Sequence, residues 1–149
     1  MQRNCALALG VIFLLLGIAG FVPGFISLPP EGFDAGGVSL NADSFYAKGF
    51  GFLFGAFPTN LMHNIVHLLV GILGIVAAST GSAKLYNRGF AISYVLIAVM
   101  GLIPLAQTTF GLMPIFGNNV WFNGLSAAIA GYYGFLTDKP ATSTDKINA

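Results

Sequence analysis

Two histidines and a handful of asparagines carry nearly all the side-chain chemistry of this sequence. His63 and His67 lie in Asn60-Leu61-Met62-His63-Asn64-Ile65-Val66-His67, and Asn118, Asn119, Trp121 and Asn123 form a second polar group further along. Residues three and four apart share a helix face, so Asn60, His63 and His67 project on one side. Two imidazoles at that spacing can hold one metal ion from a single helix. The zinc-peptidase version needs a Glu beside the first His as general base, and Asn64 stands there, so peptidase chemistry is excluded. A metal site at His63 and His67 would take its third ligand from Glu31, Asp34 or Asp43. A second reading is axial ligation of a haem or chlorophyll by His67, with His63 beside it. Gly71 and Gly74 would give a flat ring room against the helix. The third reading is structural and takes precedence: the histidines and asparagines bond across a helix bundle and fix its register, and Trp121 anchors its interface with the headgroups.

The elements that must position these residues follow from charge. Only 7% of the 149 residues are Asp, Glu, Lys or Arg, against roughly 25% in a soluble domain. Apolar residues make up 56% and mean hydropathy is +0.81. So few charges cannot cover a soluble domain of this size. A net charge of +1 also offers no basic surface to a nucleic-acid backbone. The charge-free gaps run from Asn4 to Pro30, Gly49 to Ala83 and Gly89 to Thr137. A spanning helix needs about 20 apolar residues. The gaps therefore predict an all-α membrane protein with four transmembrane helices, about 5–25, 61–79, 89–106 and 119–136, with both termini on one side. That side carries Arg3, Lys84, Arg88, Lys139 and Lys146, and the other carries only Lys48, which places both termini in the cytoplasm. The first apolar run is longer than a signal-peptide core and lacks an Ala-x-Ala site, so it reads as a retained helix. With a single Cys no intramolecular disulfide forms, which excludes disulfide oxidases working through cysteine pairs. No span has a central ionisable side chain to drive coupled transport, and Ser93 with Tyr94 is no proton relay.

Small residues recur at helical spacing in each span. Gly10, Gly17 and Gly24, with Gly20 to Gly24 as GxxxG, mark the first; Gly71, Gly74 and Ala78 the second; Ala91, Ala98 and Gly101 the third; Gly124, Ala127, Ala128, Gly131 and Gly134 the fourth. Such stripes allow close packing inside one bundle, ahead of a homo-oligomer or membrane-protein partner joined through Gly-rich faces. The halves also align. Phe54-Gly55-Ala56-Phe57-Pro58 matches Phe110-Gly111-Leu112-Met113-Pro114 at an offset of 56, which sets His63 opposite Asn119 and His67 opposite Asn123. Gly20-Phe21-Val22-Pro23 resembles Gly101-Leu102-Ile103-Pro104. A tandem repeat of two helical hairpins is expected, with the outgoing helices stopped by Pro23 and Pro104 and the returning ones capped by Asn60 and Asn118. The long outer loop, 27–59, is too long for plain coil. Its Phe45, Tyr46, Phe50, Phe52 and Phe54 suit an interfacial segment. The polar tail, 137–149, is expected to be mobile.

The blocks Phe57-Pro58-Thr59-Asn60-Leu61-Met62-His63-Asn64-Ile65-Val66-His67-Leu68 and Gly117-Asn118-Asn119-Val120-Trp121 resemble a family of small bacterial four-helix membrane proteins classed only as a domain of unknown function. The resemblance covers roughly 3–135. Members of that family occur in cyanobacteria and actinobacteria and commonly carry a His two residues after the Trp, where this chain has Asn123. The implied location is a bacterial plasma membrane, or a thylakoid membrane in a cyanobacterium. The expected role is that of a non-enzymatic accessory or scaffold element in the lipid bilayer, without nucleic acid. The alternative is a haem- or chlorophyll-binding subunit of a larger membrane complex.

Overall fold

The computed structural model describes residues 1–41 and 43–137. They form four α-helices and one small sheet. Helix α1 spans Gln2–Ala19, α2 Leu61–Thr80, α3 Ala83–Gly101 and α4 Asn118–Gly131, the last continued by a π-helical turn, Tyr132–Leu136. Strands β1 (Ile26–Ser27), β2 (Gly51–Leu53) and β3 (Phe57–Thr59) make an antiparallel sheet in the order β1-β2-β3, with Ile26 facing Leu53 and Gly51 facing Thr59. Two helices, α1 and α2, are long and apolar enough to cross a membrane. The expected tail lies outside the described residues beyond Thr137, and so do Lys139 and Lys146.

Helix α2 fits its expected span, and the other three boundaries move. Helix α1 ends at Ala19 rather than near 25, because Val22 precedes Pro23 and is held extended (φ −95, ψ 111). The Gly20 carbonyl is taken at that point by Asn64 Nδ2 at 2.7 Å. Helix α3 starts at Ala83 instead of 89, because Lys84 and Arg88 are good helix formers and belong to its first turns rather than to a loop. It ends at Gly101, short of the expected 106 and ahead of Pro104. Helix α4 is regular only to Gly131; its Arg88-facing end widens into the π turn, where Arg88 Nε donates to the Gly134 carbonyl at 2.8 Å. Gly81, at φ 81, closes α2 in the left-handed conformation and leaves only Gly81 and Ser82 between α2 and α3.

The helices run up, down, up and down, with α1 along α2 and α3 along α4 as the two most extensive pairings. Close approach at glycines explains the first. A Cβ on Gly10 would stand 2.7 Å from Ile75 N, and one on Gly74 would stand 2.8 Å from Gly10 Cα. Gly17 meets Leu68 N at 2.8 Å in the same way. Gly24 belongs to no such stripe: it lies in a short 3-10 turn with open space around it, so the expected GxxxG is absent. Between the pairs, Phe13 is fully buried and meets Phe90 and Tyr94 edge-on at 5.2 and 5.1 Å. Large apolar side chains such as Leu15, Leu69, Leu73, Leu96 and Leu125 point outward, and the buried positions of α2 are His, Asn, Gly and Ala.

The segment between α1 and α2 folds onto the helix ends. Tyr46 and Phe50 are buried with Ala35, whereas Phe45 and Phe54 are exposed, so the five aromatics do not form one continuous surface. Burial raises the Tyr46 hydroxyl well above its ordinary pKa of 10.0. This layer also meets the α3–α4 connection, where Gly36 packs on Gln107 and Thr108. At the opposite end, Asn87 Nδ2 donates to the Gln2 carbonyl at 3.0 Å, bringing Arg3, Lys84 and Arg88 to one end of the bundle.

Candidate functional site

The first turn of α2 builds the site. Asn60 stands extended before the helix, and its Oδ1 accepts from His63 N at 2.9 Å, which caps α2. Its Nδ2 donates to the Tyr46 and Leu112 carbonyls at 3.0 and 2.9 Å, so this wholly buried amide ties both connecting segments to the helix. Asn64 Oδ1 accepts from Thr59 Oγ1 at 2.6 Å while its amide holds Gly20. A Cβ on Gly20 would overlap that amide, so the glycine is what lets Asn64 reach the end of α1.

One turn of helix further round, His63 Nδ1 lies 2.8 Å from the Pro114 carbonyl. A carbonyl only accepts, so the His63 ring carries its proton on Nδ1. In the neutral ring Nε2 is then an acceptor, and His67 Nε2–H donates to it across 3.0 Å. The two rings stand nearly perpendicular at 4.4 Å, and Phe13 closes the other side of His67 edge-on at 5.0 Å. The chain Pro114, His63, His67 is thus a directed series of hydrogen bonds among buried groups.

The second polar group answers the first. Asn119 Nδ2 donates to Pro58 at 2.7 Å and to Pro114 at 3.2 Å. Asn118 Nδ2 donates to the Ala56 carbonyl at 3.1 Å. The bonds therefore cross: Ala56 and Pro58, before α2, accept from the start of α4, whereas Leu112 and Pro114, before α4, accept from the start of α2. The accepting carbonyls are 56 residues apart in each case. Phe54-Gly55 and Phe110-Gly111 also share one backbone shape, with φ of 53 and 70 in the first and 56 and 85 in the second.

Not every sequence candidate takes part. Trp121 is 75% exposed and points away from the cluster. Asn118 lies inside α4 behind Gly117 and is no N-cap; its side chain turns to the other half instead. Glu31, Asp34 and Asp43 are all exposed, away from the buried imidazoles, so none offers a third metal ligand. Gly71 and Gly74 leave no flat face for a macrocycle, because Leu14 packs against the first and Gly10 against the second. The cavity beside the two histidines is about 70 Å³, lined by Leu16, Phe57, Pro58 and Asn119 among others. Thr59, Met113, Pro114 and Tyr94 join the site without having been singled out for it by pattern. The carbonyl of Pro114 carries no side-chain signature, but its alignment with Pro58 marks the position.

The fold and site together define a helical bundle whose halves are joined at one end by buried histidine and asparagine side chains. The chain belongs to the family described as "Domain of unknown function (DUF4383)", which matches residues 3–136. Neither a curated protein nor a solved structure matches the chain.

Proposed function

We propose that this is a four-span integral membrane protein, a non-enzymatic accessory or scaffold element built from a duplicated helical hairpin. The observation that carries the reading is the crossed set of bonds between the halves. Each half lends backbone carbonyls to side chains of the other, so these bonds hold the two hairpins in register. Buried polar groups of this kind fix one arrangement where apolar packing alone has little preference in lipid. The pairing Gly20 with Asn64 recurs as Gly101 with Val120, which supports duplication.

Membrane insertion is supported by the inverted faces. Only 39% of the apolar windows of α1 and α2 is buried, so their Leu, Ile and Val side chains face outward in long rows. Water would penalise such rows and hydrocarbon would not. The cluster of Arg3, Lys84 and Arg88 would lie on the cytoplasmic side of a bacterial plasma membrane, with the β-sheet layer outside. A partner or a second copy would dock on the outward rows, since the glycines are occupied within the bundle.

Two experiments test this. In intact cells an impermeant maleimide should label a Lys48→Cys variant and reach Ser82→Cys only after permeabilisation. Labelling of Ser82→Cys alone overturns the orientation, and recovery of the chain in the soluble fraction overturns insertion. Mild solubilisation should bring down a membrane partner or a second copy, and His63→Ala with His67→Ala should lower the yield of that assembly. A catalytic turnover abolished by either single substitution refutes the scaffold role.

A further inference from the structure

A small cavity of about 10 Å³ lies between α2 and the α3–α4 half, lined by His63, His67, Tyr94, Met113 and Asn123 among others. It has the size of one water or one ion. Asn123 is 3% exposed, and its amide finds no hydrogen-bond partner among the described residues. Its amide lines the cavity, where a guest can meet it.

We propose that His63 Nε2, His67 Nε2, Met113 Sδ and Asn123 Oδ1 form a binding site for a single Cu(I) ion. His63 has the arrangement that metal-ligating histidines use, its Nδ1–H held by the Pro114 carbonyl. The Nε2 atoms of His63 and His67 are 3.0 Å apart. An ion about 2.0 Å from both would see them at an angle of about 100°, close to a tetrahedral edge. The donor set is neutral and includes a thioether. Glu31, Asp34 and Asp43 are exposed and Cys5 lies near the far end of α1, so no anion is at hand. A divalent ion would leave two uncompensated charges in an apolar interior, whereas Cu(I) leaves one, and thioether ligands select it. Loading requires no net loss of a proton: the His67 proton moves from Nε2 to Nδ1, freeing the lone pair that binds the metal.

The test uses the full chain in mild detergent, stripped of metal and titrated anaerobically with Cu(I) against a chromogenic Cu(I) chelator. One equivalent is expected to bind, with Zn(II) failing to displace it. Met113→Leu conserves volume and should weaken Cu(I) by about tenfold or more. X-ray absorption of the wild-type complex should show one sulfur and two imidazole scatterers, a readout that holds even if the variant misfolds. No binding above the detergent blank, a first shell without sulfur, or Zn(II) binding as tightly as Cu(I) overturns the proposal and leaves the cavity to water.

Discussion

Replacing Gly10 by Ala should separate α1 from α2. The new Cβ would stand 2.7 Å from Ile75 N and 2.9 Å from both Gly71 O and Gly74 C. All three are backbone atoms, so no rotamer change relieves them. The nearest contact falls about 0.8 Å short of the roughly 3.5 Å at which non-bonded atoms attract. Relief requires the helices to part, which strips the neighbouring contacts at Gly71 and Gly74 as well. Overpacking of this kind costs about 1–3 kcal/mol, and Ala returns at most about 1 kcal/mol through helix propensity. The net expectation is destabilisation of about 1–2 kcal/mol, or roughly a tenfold shift in the unfolding equilibrium. Gly89→Ala serves as the internal control: nothing lies within 4 Å of its Cβ, so it should gain up to about 1 kcal/mol. The assay is reversible unfolding in mixed detergent micelles, followed by circular dichroism. If Gly10→Ala is as stable as Gly89→Ala, the close α1–α2 approach is wrong.

Three further outcomes are expected. His63→Leu and Asn119→Leu both remove donors to Pro114, so their combined effect in the same unfolding assay should depart from additivity by about 0.5 kcal/mol or more; strict additivity refutes the crossed arrangement. Trp121 is the one Trp, so intrinsic fluorescence in liposomes reports it alone, and brominated lipids should quench it; quenching by aqueous iodide instead argues against insertion of that face. The raised pKa of Tyr46 means that the folded chain keeps its proton after an unfolded chain has lost it. The stability from this group is whole below pH 10.0 and falls as pH rises above it, and Tyr46→Phe should flatten that fall.

The helix count and the polar block were legible because both are local. Charge gaps of span length and a cap such as Asn60 depend on neighbouring residues alone. Boundaries were less legible. Residues 20–25 are as apolar as those before them, and only the extended Val22 ahead of Pro23 and the Asn64 amide on Gly20 explain why α1 stops. Lys84 and Arg88 bound the charge-free gaps and so resemble loop residues, although each favours helix and α3 takes in both.

The sequence by itself determined that this chain is rich in apolar helix, that His63 and His67 share a face, and that the two halves echo each other at an offset of 56. Tertiary structure alone decided what the polar residues meet. Pro58 and Pro114 act through backbone carbonyls, which every residue possesses, and Met113 and Tyr94 reach the histidines from 27 to 50 positions away along the chain. The partner of a hydrogen bond is fixed by the packing of one helix against another. Local spacing shows which way a side chain faces, and only the fold supplies the atom that waits there.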